Sequence, residues 1–387
     1  MPKGATAIPN PVTIADFRQI ARRRLPRFVF DYADGAAGDE TTMHHNRAAF
    51  AQLRLYPRQQ VDVSKRSMET TVLGRPLPMP LLLGPTGLQR LVHRHADLEV
   101  AQAAGAAGIP FVVSASTAFT VEQIAEAGNG DLWLQVYPWR DRKALEHVIT
   151  RALAAGYSTL VVTVDVPLLG RRERDIRNGM SIPPRITPAN LYQGARHPRW
   201  ATHLLRGPEI TFINFKTLAP SARGMALMKW VNDELTNPAA QWSELRWLRH
   251  QWPGPMVVKG ILTVQDANAA INEGADAIVV SNHGGRQLDD TPATADVLPR
   301  VVDAVADRAE VLVDGGIRRG ADILKALALG ARAALVARPY WWGLAADGAR
   351  GVSAIIDVFR TEFDMAMALA GRPTIESIDR SLVFPDG

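Results

Sequence analysis

From about residue 80 onward the chain repeats one pattern of apolar and polar positions. A short apolar run, rich in Val, Ile or Leu, meets a polar turn. An Ala-rich stretch with helical spacing follows, often ending in Gly. Short apolar runs bounded by turn residues read as buried strands, and the longer periodic stretches as helices. Strands are predicted at Leu81–Gly84, Phe111–Val113, Leu132–Val136, Leu160–Val164, Met256–Val258, Ala277–Val280, Val311–Val313 and Ala333–Val336. Helices are predicted at Asp97–Ala107, Val121–Ala127, Arg142–Ala155, Val264–Glu273, Ala295–Ala306, Ala321–Leu329 and from Leu344 onward. Eight strands alternating with helices predict an α/β chain whose parallel sheet closes as a (β/α)8 TIM barrel. A doubly wound open sheet is the competing topology. It needs neither an eighth strand nor a polar residue behind every strand.

Two regions break the rhythm. Residues 13–56 read as helical, with Thr13-Ile-Ala-Asp16 as a capping start and Pro26 opening a second helix over Arg27–Ala33. The connection between Asp165 and Met256 is about 90 residues long, far above an ordinary crossover. Its segment Pro183–Gln241 is Pro-rich, contains Trp200 and Trp230, and holds seven Lys/Arg against three Asp/Glu. The expected organisation is a single domain over 1–387. It comprises an N-terminal helical segment (1–79) and a barrel (80–387) with an insertion after the fourth strand at about 183–241. A lid over the barrel mouth is the default reading of the insertion, and contact with an anionic membrane surface is the alternative.

The strand ends carry the chemistry. In order they read Thr86, Ser114, Gln135 with Tyr137, Thr163 with Asp165, Lys259, Ser281 with His283, Asp314 and Arg338. In a barrel these ends converge on one face, where active sites are built. Polar loop starts explain one or two such residues, but not Lys, His, Arg and two Asp at one mouth. Ser281-Asn-His-Gly-Gly-Arg-Gln-Leu-Asp289 is the densest segment. His283 can take a proton near neutral pH, and Arg286 can grip a carboxylate through two parallel hydrogen bonds. Asp314-Gly-Gly-Ile-Arg-Arg-Gly320 follows the seventh strand and opens a helix, so its backbone N–H groups and Arg318 suit a phosphate. Ala337-Arg338-Pro339 after the eighth strand completes that cup. No Walker loop is present and no Gly-x-Gly-x-x-Gly follows the first strand, which argues against nicotinamide on a Rossmann domain. A barrel with a phosphate cup and a central lysine points to flavin mononucleotide, FMN, with Lys259 beside the reduced ring.

Composition narrows the alternatives. The chain has no Cys, which excludes disulfides, iron–sulfur clusters and Cys-zinc sites. A net charge of +5 fits an anionic substrate and cofactor, and no basic helix or aromatic RNA-binding motif points to nucleic acid. No apolar run reaches the ~18 residues of a spanning helix, and the N-terminus lacks the apolar core of a secretion leader. A cytoplasmic location is therefore expected, with association with the inner membrane face as an option. His93-Arg-His95 and His44-His45 read as loop histidines without a carboxylate at ligand spacing, so no metal is expected.

These motifs together resemble the FMN-dependent (S)-2-hydroxy acid oxidase and dehydrogenase family over about Thr13 to Ser381. The match rests on Ser281–Asp289, Val258-Lys-Gly260, Thr163-Val-Asp165, Gln135-Val-Tyr137, Asp314–Gly320 and Lys325-Ala-Leu-Ala-Leu-Gly-Ala331. Pro85-Thr-Gly-Leu88, Gly130-Asp-Leu-Trp133, His197-Pro-Arg-Trp200 and Trp242–Arg249 are most similar to the (S)-mandelate dehydrogenase branch. The resemblance implies that His283 is the base and that Asp165 stabilises its protonated form. It implies that Arg286, Arg172 and Tyr32 hold the substrate carboxylate and that Tyr137 bonds near the hydroxyl. It places Lys259 at the flavin N1 edge, and Ser114, Gln135, Thr163 and Ser281 as flavin partners. The backbone at Thr86 and Gly87 would approach N5. Asp314 would bond the ribityl chain, while Gly316, Arg318, Ala337 and Arg338 would surround the phosphate. Many relatives carry Trp where this chain has Ser116, many oxidases carry Ala at Gly87, and Ala337 replaces a usual Gly. Smaller groups at the first two positions imply space for a bulky, aryl substrate. The implied partners are a small 2-hydroxy acid and a quinone or other electron acceptor. The family further implies a homo-oligomer, and no haem-binding domain is expected ahead of the N-terminal helices.

Overall fold

Every predicted barrel strand forms, and the eight close on themselves. The computed structural model describes residues 10–180 and 187–384. Its strands are β1 (Thr70–Val72), β2 (Arg75–Leu77), β3 (Leu81–Leu83), β4 (Phe111–Ser114), β5 (Leu132–Val136), β6 (Thr159–Thr163), β7 (Met256–Ile261), β8 (Ala277–Val280), β9 (Glu310–Val313) and β10 (Ala333–Val336). The strands β3 to β10 pair in parallel in chain order, and β10 pairs with β3 to complete the barrel. Alternation along each strand divides the core in two. One set of positions, such as Leu81, Phe111, Val113, Leu134 and Val162, packs outward against the helices. The other set, Leu82, Val112, Trp133, Val161, Val257, Val279, Leu312 and Leu335, fills the barrel interior as a separate cluster.

The N-terminal segment differs from its helical prediction. Helices form at Ile14–Arg24, Arg27–Asp34 and Thr41–Gln52, and then β1 and β2 pair as an antiparallel hairpin. Its two-residue turn, Leu73-Gly74, has positive φ at both positions (50° and 74°), the geometry that matches the twist of a hairpin. The usual Asn-Gly signal is absent, which hid the turn from pattern reading. Val72 and Leu77 join the interior cluster, so the hairpin plugs the N-terminal end of the barrel. The Leu73 N–H donates to the Glu310 carboxylate at the start of β9 (3.0 Å), which fixes the plug in place.

The last helix starts earlier than predicted. It runs Arg338–Ala370, with Pro339 in its first turn, and is broken at Asp347 and Gly348. Pro suits a first turn because its missing N–H has no helical partner there. Arg338 therefore sits at a helix N-terminus rather than in a loop.

The insertion forms helices Pro188–Ala195, Pro198–Arg206 and Gly224–Trp230, the last continuing into a π-turn over Val231–Leu235. Residues 183–186 of the predicted insertion, and the N-terminal residues 1–9, lie outside the described residues. The insertion packs on the loops after β3 and β4. Arg90 donates to the carbonyls of Leu204 (2.6 Å) and Pro208 (2.9 Å). Trp200 Nε1 donates to Leu91 O (2.7 Å), and Asn214 Nδ2 to Ala115 O (3.2 Å).

One buried acid makes stability depend on pH. Asp97, in the first turn of helix Ala96–Ala107, is buried and accepts from the Thr117 hydroxyl at 2.6 Å. Burial pushes its carboxyl up to about 7, against the smaller opposing pull of that hydrogen bond. The unfolded chain loses this proton near pH 4, whereas the folded chain keeps it to about 7. The associated stability is complete below pH 4 and is lost as pH rises toward and through about 7. Asp97→Asn should therefore show a smaller fall in Tm than the parent between pH 5 and pH 8 (both about, set by that window). Parallel Tm–pH curves for the two proteins would remove Asp97 from this role.

Candidate active site

The two-residue period that fills the barrel also builds its mouth. Beyond inward-facing Trp133 come Gln135 and Tyr137, and beyond Val161 come Thr163 and Asp165. Lys259 follows Val257, His283 follows Val279 by way of Ser281, and Asp314 follows Leu312. One cavity receives these ends. Tyr32, Thr86, Gly87, Ser114, Gln135, Tyr137, Thr163, Arg172, Lys259, His283, Arg286, Asp314, Gly316, Arg318, Ala337 and Arg338 all line it. Asp165 and Ser281, the remaining predicted site residues, stand behind its wall.

His283 is held by that second rank. It has a left-handed backbone (φ 56°), uncommon for a residue with a side chain, and Gly284 and Gly285 continue the turn at 64° and 77°. Ser281 Oγ accepts the His283 N–H at 3.1 Å. His283 Nδ1 meets Asp165 Oδ1 at 2.9 Å, which leaves Nε2 for the cavity. A Cβ on Gly260 would lie 2.7 Å from Asp165 Cβ, so the absence of a side chain there lets Asp165 approach. Burial acts to raise the Asp165 carboxyl, but the His283 ring and Lys259 outweigh it and hold the group below its ordinary range. Asp165 is thus a carboxylate facing an imidazole.

Lys259 is buried and donates to Ser281 Oγ (2.8 Å), and its Nζ lies 2.9 Å from Asp314 Oδ2. Burial favours loss of its proton, yet Asp314 and Asp165 raise its affinity for that proton above the ordinary value. Lys259 therefore carries a fixed positive charge into the centre of the mouth.

Two pairs of arginines supply further positive charge. Arg286 Nη1 donates to Tyr32 O (2.8 Å) and Gly35 O (3.0 Å), and its guanidinium lies 5.1 Å from the Tyr32 ring centroid. Arg172 lies 5.5 Å from the same ring and 3.6 Å from Asp175. Burial and the neighbouring Arg172 bring Arg286 down to about 9. Arg318 and Arg338 form the second pair, each lowered to about 10 by burial and then chiefly by neighbouring arginines. Arg338 donates to Gly284 O (3.0 Å) and Gly35 O (2.8 Å), while its buried Nε has no partner among the described residues. Each pair calls for an anion: a carboxylate at Tyr32, and a phosphate at the helix N-terminus that Arg338 begins. The donor set fits FMN. Arg318 and Arg338 with the N–H groups near Gly316 and Ala337 suit the phosphate. The buried Asp314 Oδ1, which has no partner among the described residues, suits a polyol hydroxyl, and Lys259 suits the anionic edge of the ring. Ala337 has φ −124°, which accommodates its Cβ.

Pattern reading missed several parts of this site. Tyr340 and Trp341 close on Thr86, whose Oγ1 lies 2.6 Å from Tyr340 OH and accepts from Trp341 Nε1 at 2.7 Å. Both lie ahead of Leu344, where the sequence pattern places the start of the last helix, and inside the helix that forms from Arg338. Asn282 exchanges amide hydrogen bonds with Asn46 (2.8 and 2.9 Å), pinning the His283 turn to the helix Thr41–Gln52. Trp139, Phe212, Val231 and Asn232 border the cavity, three of them delivered by the insertion. No local motif marks these residues as site residues.

The geometry agrees with what this chain is similar to. The family model for FMN-dependent dehydrogenase matches residues 21–385. An L-lactate oxidase from Nostoc sp. is 43% identical over 98% of this chain and 99% of its own length. The (S)-mandelate dehydrogenase of Pseudomonas putida is 41% identical over 98% of this chain and 95% of its own. Among solved structures, that of the monotopic membrane protein (S)-mandelate dehydrogenase superposes with a TM-score of 0.91 at 40% identity, covering 96% of this chain and 99% of that one. A match of this extent, on a barrel whose mouth has the donors for flavin and phosphate, means that the chain belongs to the FMN-dependent dehydrogenase family.

Proposed function

We propose that the protein oxidises an (S)-2-hydroxy acid with a bulky or aryl side chain, mandelate or a close analogue, to the 2-oxo acid. The observation that carries this reading is the pairing of His283, backed by Asp165, with the Arg286/Arg172 couple on one side of one cavity. The arginines bind the substrate carboxylate and so fix the α-carbon relative to His283. His283 Nε2 takes one of the two protons released in the oxidation, and the Asp165 carboxylate stabilises the resulting imidazolium. Burial, with nearby Asp165 and Tyr32, pushes the Tyr137 phenol up, so it stays protonated and donates toward the substrate oxygen. FMN, when bound, would accept the two electrons and the other proton. Lys259 supplies the fixed positive charge that favours negative charge on the cofactor's ring edge. A quinone or another acceptor then takes the electrons.

The bulky-substrate reading rests on space. Gly87 and Ser116 both line the cavity, and a Cβ on Gly87 would sit 3.3 Å from Ser116 O. Trp139, Phe212 and Val231 give the cavity an apolar border suited to an aryl ring. The L-lactate oxidase relative keeps small hydroxy acids as the second reading. The insertion shares this border, so the whole chain acts as one catalytic unit.

Contact with the inner membrane face is part of the proposal. No helix of the described residues is long and apolar enough to cross a membrane. The insertion exposes Leu191, Tyr192 and Leu205 beside exposed Arg196, Arg199 and Arg206, a combination suited to an anionic lipid surface. The monotopic relative supports the same placement.

The purified protein should be yellow, and anaerobic (S)-mandelate should bleach its visible flavin absorbance. A protein that stays colourless when supplied with FMN would sink the reading, and bleaching by lactate alone would transfer it to small substrates. His283→Ala should retain FMN and lose about 10²-fold or more in kcat, the usual worth of a positioned base. Near-full turnover would exclude His283 as the base. Leu205→Asp should weaken sedimentation with anionic vesicles without changing the flavin spectrum, and undiminished binding would count against the insertion as the contact surface.

A further inference from the structure

We propose that His93, His95, Glu99 and His203 form a binding site for a divalent transition metal of the zinc class, at the seam between the insertion and the barrel. By sequence pattern, His93-Arg-His95 is a pair of loop histidines without a ligating carboxylate. The fold supplies one. His95 caps the helix Ala96–Ala107, which brings Glu99, four residues on, beneath it. The carboxylate bridges two rings: His93 Nδ1 lies 3.2 Å from Oε2, and His95 Nδ1 lies 3.0 Å from Oε1. Without an ion these contacts are hydrogen-bonded or ion-paired, and they lie close to the separation of about 3.3 Å between ligand atoms around a tetrahedral zinc with bonds of about 2.0 Å. His93, His95 and Glu99 are the group among the described residues whose ligand atoms all lie within 4.8 Å of one another. His203, on the insertion helix Pro198–Arg206, stands next to that three-residue group, its ring centroid 4.4 Å from that of His93, and would join the group when the ion binds. A cavity of about 360 Å³ opens beside them, bordered by His93, Glu99 and His203.

The chemistry selects the ion. Arg94, Arg199 and Arg350 border the same cavity and are offset in part by Glu99 and Asp347. A donor set with a single carboxylate, Glu99, disfavours Mg²⁺ and Ca²⁺, which are held by several oxygen ligands. Ions that bond imidazole nitrogen, with Zn²⁺ foremost, suit the donor set.

Such an ion would act as a staple. Glu99 also accepts from the Ala349 N–H (2.8 Å) at the break in the last helix. The cluster therefore joins three parts: the loop after β3, the last helix and the insertion, which also borders the substrate cavity. The site is separate from the flavin chemistry and stands whether or not the substrate assignment holds.

The test uses full-length, FMN-loaded protein freed of metal by chelation and titrated with Zn²⁺ in a calorimeter. About one Zn²⁺ per chain is expected, with a rise in Tm that Mg²⁺ does not reproduce. His95→Ala, at a side chain 46% exposed, and His203→Ala should each weaken Zn²⁺ binding at least about tenfold, since even an outer partner of a ligand is worth that much. Both variants should keep the parent's flavin spectrum and its metal-free Tm. Absence of stoichiometric binding, or binding unchanged in both variants, overturns the proposal; the second outcome would locate the ion elsewhere, such as at His283.

Discussion

The site depends on one geometric constraint: side chains alternate across a strand, and a closed barrel has room inside for only one of the two sets. An inward position near the N-terminal end of a strand must be apolar, because it is sealed beneath its neighbours and the β1–β2 hairpin. The next inward position, two residues on, meets the mouth. Val257 and Lys259 illustrate this, as do Leu312 and Asp314. The layer that holds the barrel together is therefore also the platform that aims the chemistry. A one-residue slip in β7 would turn Lys259 away from the cavity and into the outer core.

The electrostatics follow from burial at that mouth. Charges are costly there unless paired, and the pairs that form are specific: Lys259 with Asp314, and His283 with Asp165. The two arginine couples are treated differently. They lean on carbonyls and aromatic rings, with Asp175 3.6 Å from Arg172, and burial together with like charge depresses Arg286, Arg318 and Arg338. Unspent positive charge is what a site for a carboxylate and a phosphate requires. The carboxylates are instead spent on fixing Lys259 and His283, which the proposed reaction needs in defined charge states.

The insertion extends the same logic outward. It is anchored by hydrogen bonds from Arg90 and Trp200, and it contributes Phe212, Val231 and Asn232 to the cavity. The cavity lining is thus shared between strand ends, which the barrel dictates, and a segment that the barrel merely carries. Exposed Leu205 and Tyr192 lie on that segment, so the proposed surface attachment and the proposed substrate selection would reside in one element.

The pattern along the chain was enough to locate all eight barrel strands, the polar residue behind each one, and the motifs around His283 and Asp314. Those features are local: a strand's period and a turn's residue types are written within a few positions. Other features arise only when distant segments meet. Leu73-Gly74 becomes a hairpin turn because Val72 and Leu77 have a barrel end to fill. Tyr340 and Trp341 become partners of Thr86 because β10 closes on β3. Ser281 and Asp165 move to a second rank because Lys259 and His283 occupy the first. His93 and His95 acquire Glu99 once a helix turns beneath them, and His203 arrives from about a hundred residues away. The sequence alone determined which groups the barrel presents, since alternation is a property of each strand. The tertiary structure decided which of them touch, since contact between segments depends on closure and packing.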